Sequence, residues 1–133
     1  MKYFLDTNTI IYAIKGTYVT MKEHFKNVPM ESIVIPNIVI AEIEFGAYKS
    51  SNYKKTIEQY NQFINNFNKI GFNENAARIY GRIRSDLEKS GTPIGPNDLV
   101  IASIVLAENG VLITHNIKEF SRIENLKIED WTK

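Results

Sequence analysis

The sequence predicts an α/β fold built on a short, mostly parallel sheet. Three observations point there. Short continuous apolar runs alternate with longer stretches of helical period. The runs are short and largely continuous in apolar residues, as in strands covered on both faces. Cap and breaker residues fall between the two kinds of segment.

In chain order, "YFL" (3–5) is the first short buried strand, and Ile10, Ile11, Ala13 and Ile14 mark one face of the helix after it. Residues 18–28 predict a second helix, closed by Pro29. "SIVIP" (32–36) is β-branched and bounded by Pro36, which predicts a strand. Asn37 is placed to cap the next helix, which runs to about Ser50 with Ile38, Ala41, Phe45 and Tyr48 on its apolar stripe. Residues 53–67 carry Ile57, Tyr60, Phe63, Ile64 and Phe67 at amphipathic spacing. "KIGF" (69–72) predicts a short strand, and Asn73 an N-cap for a helix over 76–89 that ends at Gly91 and Pro93. "GPNDLVIASIVLAENG" (95–110) has Pro96 in a first-turn position, a nearly all-apolar body and Gly110 as terminator. "VLIT" (111–114) is the clearest strand, followed by a short helix over 117–123 and a last strand over 126–128.

The chain has 133 residues, 44% hydrophobic and 23% charged, which fits one globular domain (1–133) able to bury a substantial core. No apolar run approaches the ~18–20 residues that span a bilayer, and no basic, apolar, small-residue leader opens the chain. A cytoplasmic protein with no membrane partner is expected. The absence of Cys excludes disulfides, thiolate metal sites and cysteine nucleophiles. Sixteen basic against 15 acidic residues give a net charge of +1, which does not announce a nucleic-acid partner. Arg78, Arg82 and Arg84, and separately Lys49, Lys54 and Lys55, are candidate phosphate-facing sets. Charge alone favours solvated helix faces for both.

Three acids do not fit their surroundings. Asp6 closes a buried strand, Glu42 sits inside the apolar "IVIAEIEF", and Asp98 lies in the first turn of the most hydrophobic helix. A fourth, Glu119, follows "VLIT" with Asn116 between. Each has a structural reading taken singly. Asp6 is a helix cap, Asp98 an acid favoured by the helix dipole, Glu42 the partner of a buried Arg, and Glu119 exposed. Together they suggest more. If the first and fourth strands are parallel neighbours, their carboxyl ends bring Asp6 and residues 114–119 to one crevice, where ligands of such sheets bind. Helices starting near Asn37 and Pro96 can aim Glu42 and Asp98 at the same place. Two carboxylates at ~4 Å repel by about 4 kcal/mol at an effective dielectric of ~20. No Lys or Arg adjoins Asp6, Glu42 or Asp98 in sequence. Raised pKa or a divalent cation relieves such repulsion, and an all-oxygen set suits Mg²⁺ or Mn²⁺ beside a phosphate-bearing substrate.

"FLDTNTIIYAIKG", "IVIAEIEFG", "GPNDLVIAS" and "LITHNIKEF", in this order, resemble PIN-domain ribonucleases, specifically the VapC toxins of toxin–antitoxin pairs. The likeness extends through "AARIYGRIRSDLEKSGTPIGPNDLVIA" to "LKIEDW", which is similar to the branch cleaving initiator tRNA in its anticodon loop. The resemblance implies a three-layer α/β/α sandwich and hydrolysis of RNA phosphodiester bonds with Mg²⁺, or Mn²⁺ in its place. It puts the metal on Asp6 and Asp98, with Glu42 and Glu119 completing the cage and positioning or deprotonating the attacking water. Glu44 points elsewhere on its helix. Asn116 stands where many PIN domains carry Asp, and Glu119, three residues later, supplies the acid. Thr7, Asn8 and Thr114, with Asn116, match the family's small polar supports. The implied partners are a tRNA substrate, a cognate antitoxin that inserts a basic side chain among the acids, and a second copy in a homodimer within a toxin–antitoxin hetero-oligomer.

Tyr48, Tyr53, Tyr60 and Phe63 are candidates for a dimer or antitoxin surface, although their helical spacing favours core packing, and Tyr80 and Trp131 are equally open. The chain has two histidines: His24 on a polar helix face, and His115 beside the acids, which touches RNA or simply faces solvent. Neither supports a Ser-His-Asp set. "GTPIGP" lacks the ending of a P-loop. Two rivals remain: a phosphatase with Asp6 as nucleophile, disfavoured because Asn8 occupies the position of its second acid, and an RNA-binding PIN domain without activity, disfavoured by retention of Asp6, Glu42 and Asp98.

Overall fold

The computed structural model describes residues 1–133. Five strands, β1 (Tyr3–Leu5), β2 (Ile33–Pro36), β3 (Asn68–Ile70), β4 (Val111–Ile113) and β5 (Lys127–Glu129), form one sheet. Their order is β3-β2-β1-β4-β5 and every pairing is parallel. Seven helices connect them: α1 (Thr7–Lys15), α2 (Val19–Lys26), α3 (Asn37–Lys49), α4 (Tyr53–Ile64), α5 (Glu74–Lys89), α6 (Pro96–Ala107) and α7 (Ile117–Phe120). Successive strand residues face opposite sides, and Phe4, Leu5, Leu112 and Ile113 are all inaccessible to solvent. Both faces of the sheet are therefore covered, which gives three layers. No helix is long and apolar enough to cross a membrane.

The strand order carries a functional consequence. The chain moves outward from β1 through β2 to β3, then returns to the other side of β1 for β4 and β5. Its direction reverses between β1 and β4, the switch point where open parallel sheets present a crevice at their carboxyl ends. Leu5 pairs with Ile113, so Asp6 and Thr114 leave the sheet side by side. The Asp6 N–H donates to the Ile113 carbonyl at 3.3 Å.

Most caps act as their chemistry demands. The Asn52 and Asn73 side chains accept from Lys55 N and Ala76 N, and Pro96 opens α6. Gly16 closes α1 with φ 66°, a backbone region that favours glycine. Three local expectations need correction. Asn37 is the first residue of α3 rather than its cap, and extended Pro36 precedes it without a side-chain cap bond. The buried stripe of α3 is Val39, Ile43 and Ala47, whereas Phe45 and Tyr48 are 66% and 70% exposed. Gly110 does not end α6, which stops at Ala107 with Asn109 in the left-handed region. A Cβ on Gly110 would lie 2.3 Å from the Phe4 ring and 2.9 Å from the Lys2 carbonyl, so glycine is required there by close approach.

Candidate active site

Asp6 does two jobs. It leaves β1 with extended backbone, and its Oδ1 accepts the Thr9 N–H at 2.9 Å, capping α1. The Thr9 hydroxyl donates to the Ile113 carbonyl at 3.0 Å, locking this turn to β4. Thr114 leaves β4 beside Asp6. Asp6 is buried, with 7% of its surface exposed. That burial pushes its carboxyl pKa up, the Thr114 and Thr9 donors pull it down, and the Glu42 charge adds to the rise.

Glu42 reaches the same crevice because α3 packs against both α1 and α6. Its Oε1 accepts the Thr7 hydroxyl at 2.6 Å, and its Oε2 accepts from Asn97 Nδ2 at 3.4 Å. Glu42 thereby bridges the first turns of two helices. Glu44 turns to another neighbour and accepts the Tyr53 hydroxyl at 2.8 Å, which raises the Tyr53 pKa.

Asp98 is the third residue of α6 and half-buried. Its carboxyl is pushed up to about 6, first by burial, then by the charges of Glu119, Asp6 and Glu42, with a hydrogen bond to Glu119 contributing least. Glu119, on α7, accepts from Asn116 Nδ2 at 3.1 Å. The Asn116 N–H in turn donates to Thr114 Oγ1 at 3.0 Å, fixing the loop after β4. The four acids predicted from sequence are thus electrostatic neighbours around one switch point. Thr7 bonds Glu42 and Asn116 bonds Glu119, while Thr114 accepts the Asn116 N–H. Asn8 is exposed and bonds none.

None of the five ion pairs in the molecule includes these four acids. The reading of Glu42 as partner of a buried Arg has no support in the structure. No three acids converge on one point as a ready-made cage. An open set of hard oxygen donors without a basic partner fits a divalent cation that keeps part of its water shell.

Two supports escaped the sequence. The signals that point to them are the place of Thr9 three positions after a capping acid and that of Asn97 as the amide beside Asp98 in the first turn of α6. Elsewhere, Arg78 and Arg84 pair with Glu74 and Glu88 on their own helix, the solvated-face reading. Tyr60, Phe63 and Tyr80 pack against the core and Trp131 is buried in it, while exposed Tyr48 stacks on Tyr53 at 4.1 Å between ring centroids. His24 lies flat against Trp131.

The PIN domain family model matches residues 3–126. Ribonuclease VapC2 of Rickettsia felis is 40% identical over 137 residues, covering 100% of both chains. The tRNA(fMet)-specific endonuclease VapC of Salmonella typhimurium is 35% identical over 131 residues, covering 98% of each. Among solved structures, that of VapBC-1 from nontypeable Haemophilus influenzae superimposes with a TM-score of 0.92 at 42% identity, covering 100% of both chains. The acids around the switch point, the wholly parallel five-stranded sheet and these full-length likenesses agree: the chain belongs to the PIN domain family, among its VapC ribonucleases.

Proposed function

We propose that this ribonuclease acts in the cytoplasm as the toxin of a toxin–antitoxin pair, cutting tRNA in the anticodon loop with Mg²⁺, or Mn²⁺, held at the switch point. One observation carries the metal reading. Four neighbouring carboxylates have no basic partner, and burial, followed by the charges of the other three, pushes the Asp98 carboxyl up to about 6. A divalent cation neutralises such a set, and when bound it makes water a better nucleophile and offsets charge on the reacting phosphate.

In this reading Asp6 and Asp98 hold the cation, directly or through water. Glu42 and Glu119 complete the negative rim, accept a proton from the attacking water and orient it. Thr7 fixes the Glu42 carboxylate by donating to Oε1, and Asn116 fixes Glu119 in the same way. The Thr9 N–H holds Asp6, so three of the four acids have a defined direction before substrate arrives. The Salmonella relative's name supports a tRNA substrate.

An unpaired acid cluster also suits inhibition by a basic side chain from an antitoxin segment. Exposed Phe45 and Tyr48 on α3 form an apolar patch that supports a protein contact, in keeping with a homodimer within a toxin–antitoxin hetero-oligomer. A single cluster of 24 buried hydrophobic residues from Phe4 to Trp131 supports one domain over 1–133.

Incubation with total RNA, with and without EDTA, followed by mapping of new 5′ ends, tests the reading. Chelator-sensitive ends concentrated in one anticodon loop are expected. Equal cleavage in EDTA, or no cleavage, contradicts it.

A further inference from the structure

We propose that His115, with Tyr12 and Tyr18 behind it, is a stacking site for an unpaired base of the RNA next to the scissile phosphate. The inference rests on the ribonuclease reading and adds a substrate contact outside the acids.

Position comes first. His115 lies between Thr114, which leaves β4 beside Asp6, and Asn116, which bonds Glu119. A phosphate engaged by the acids therefore has its neighbouring nucleotides beside this loop. The ring is also held ready. His115 Nδ1 donates to Asp130 Oδ2 at 3.0 Å, and Asp130 Oδ1 accepts the Thr132 hydroxyl at 2.6 Å and the Thr132 N–H at 3.0 Å. The Asp130 side chain is 11% exposed, whereas His115 keeps 45% of its side chain in solvent. An ordered ring in water loses little freedom when a ligand stacks on it.

The surroundings are aromatic. Tyr12 and Tyr18 have ring centroids 6.3 Å and 6.0 Å from the imidazole, and they meet each other edge to face at 5.1 Å. Unpaired RNA bases are recognised by stacking on such rings, because every base presents a π-face. A role limited to pinning the C-terminus explains less. That segment is already anchored by buried Trp131, by Thr20 Oγ1 donating to the Thr132 carbonyl at 2.8 Å, and by His24 at the Lys133 carbonyl.

The test is steady-state cleavage of a single-stranded RNA oligonucleotide spanning the mapped site, with a melting temperature for every variant. His115→Ala raises KM roughly tenfold, the size of one lost base–aromatic stack, with kcat nearly unchanged, and His115→Phe restores most of it. Removing the base beside the scissile phosphate raises the wild-type KM to the same degree and adds nothing in His115→Ala. Should the variant not fold, NMR of ¹³C-histidine-labelled wild type with an oligonucleotide carrying a methylene phosphonate at the scissile position gives the answer. His115 shifts and His24 does not. Cleavage with an unchanged KM in His115→Ala, a loss additive with base removal, or a loss only of antitoxin affinity overturns the inference and leaves the ribonuclease reading standing. Absence of cleavage by the wild type overturns that reading first.

Discussion

The Thr7 hydroxyl donates to Glu42 Oε1 at 2.6 Å, tying the start of α1 to the middle of α3. The bond gives Glu42 a direction that its own flexible side chain lacks. Thr7→Val keeps the shape and removes the donor. Activity is expected to fall by roughly 10–100-fold, the usual cost of losing a group that orients a metal-site acid. Thr7→Ser retains most of it. Cleavage kinetics at saturating Mg²⁺ check both.

Asp98 makes stability depend on pH in a defined direction. Its native pKa of about 6 exceeds the ordinary carboxyl value of 3.8. Between these values the native state binds more protons than the unfolded chain, so this group's contribution falls as pH rises from ~4 to ~6. In EDTA, Asp98→Asn is expected to melt higher than wild type at pH 7.5, by about 3 °C, with the gap closing toward pH 4. Added Mg²⁺ raises the wild-type melting temperature at pH 7.5 and loses this effect below pH 6.

Gly110→Ala is expected to destabilise the fold by about 1–3 kcal/mol, the range for overpacking a closed core. The new methyl meets the Phe4 ring and the Lys2 carbonyl, and the backbone contact cannot rotate away. Urea unfolding measures the loss. Phe4→Leu in the same chain recovers part of it, because one of the two obstacles shrinks.

The grouping of the candidate acids was legible where short-range chemistry specified it. Asp6 stands at a strand end next to a helix start, so the parallel pairing of β1 with β4 sets it beside the loop that carries Glu119, and Asp98 reads from the first turn of the apolar helix that leads into β4. The face of α3 was not legible. Apolar residues surround that helix, and periodicity alone cannot separate Val39, Ile43 and Ala47, which are buried, from Phe45 and Tyr48, which are not. Glu42 nevertheless reads as unusual on either face. The bond between His115 and Asp130 lies beyond sequence reasoning, since it depends on β5 docking beside β4 and on the turn that follows. Gly110 illustrates a subtler loss: its glycine signal was real, but its cause is the Phe4 ring across the sheet rather than a helix end.

The most direct test of the account is titration of Mn²⁺ into the purified chain, followed by paramagnetic resonance, for wild type, Asp6→Asn and Asp98→Asn. Wild type is expected to bind the ion at pH 7.5, with each substitution weakening binding at least tenfold and abolishing RNA cleavage while the fold persists. A wild-type chain that cuts RNA without binding the ion, or an Asp98→Asn chain that binds and cuts undiminished, contradicts it.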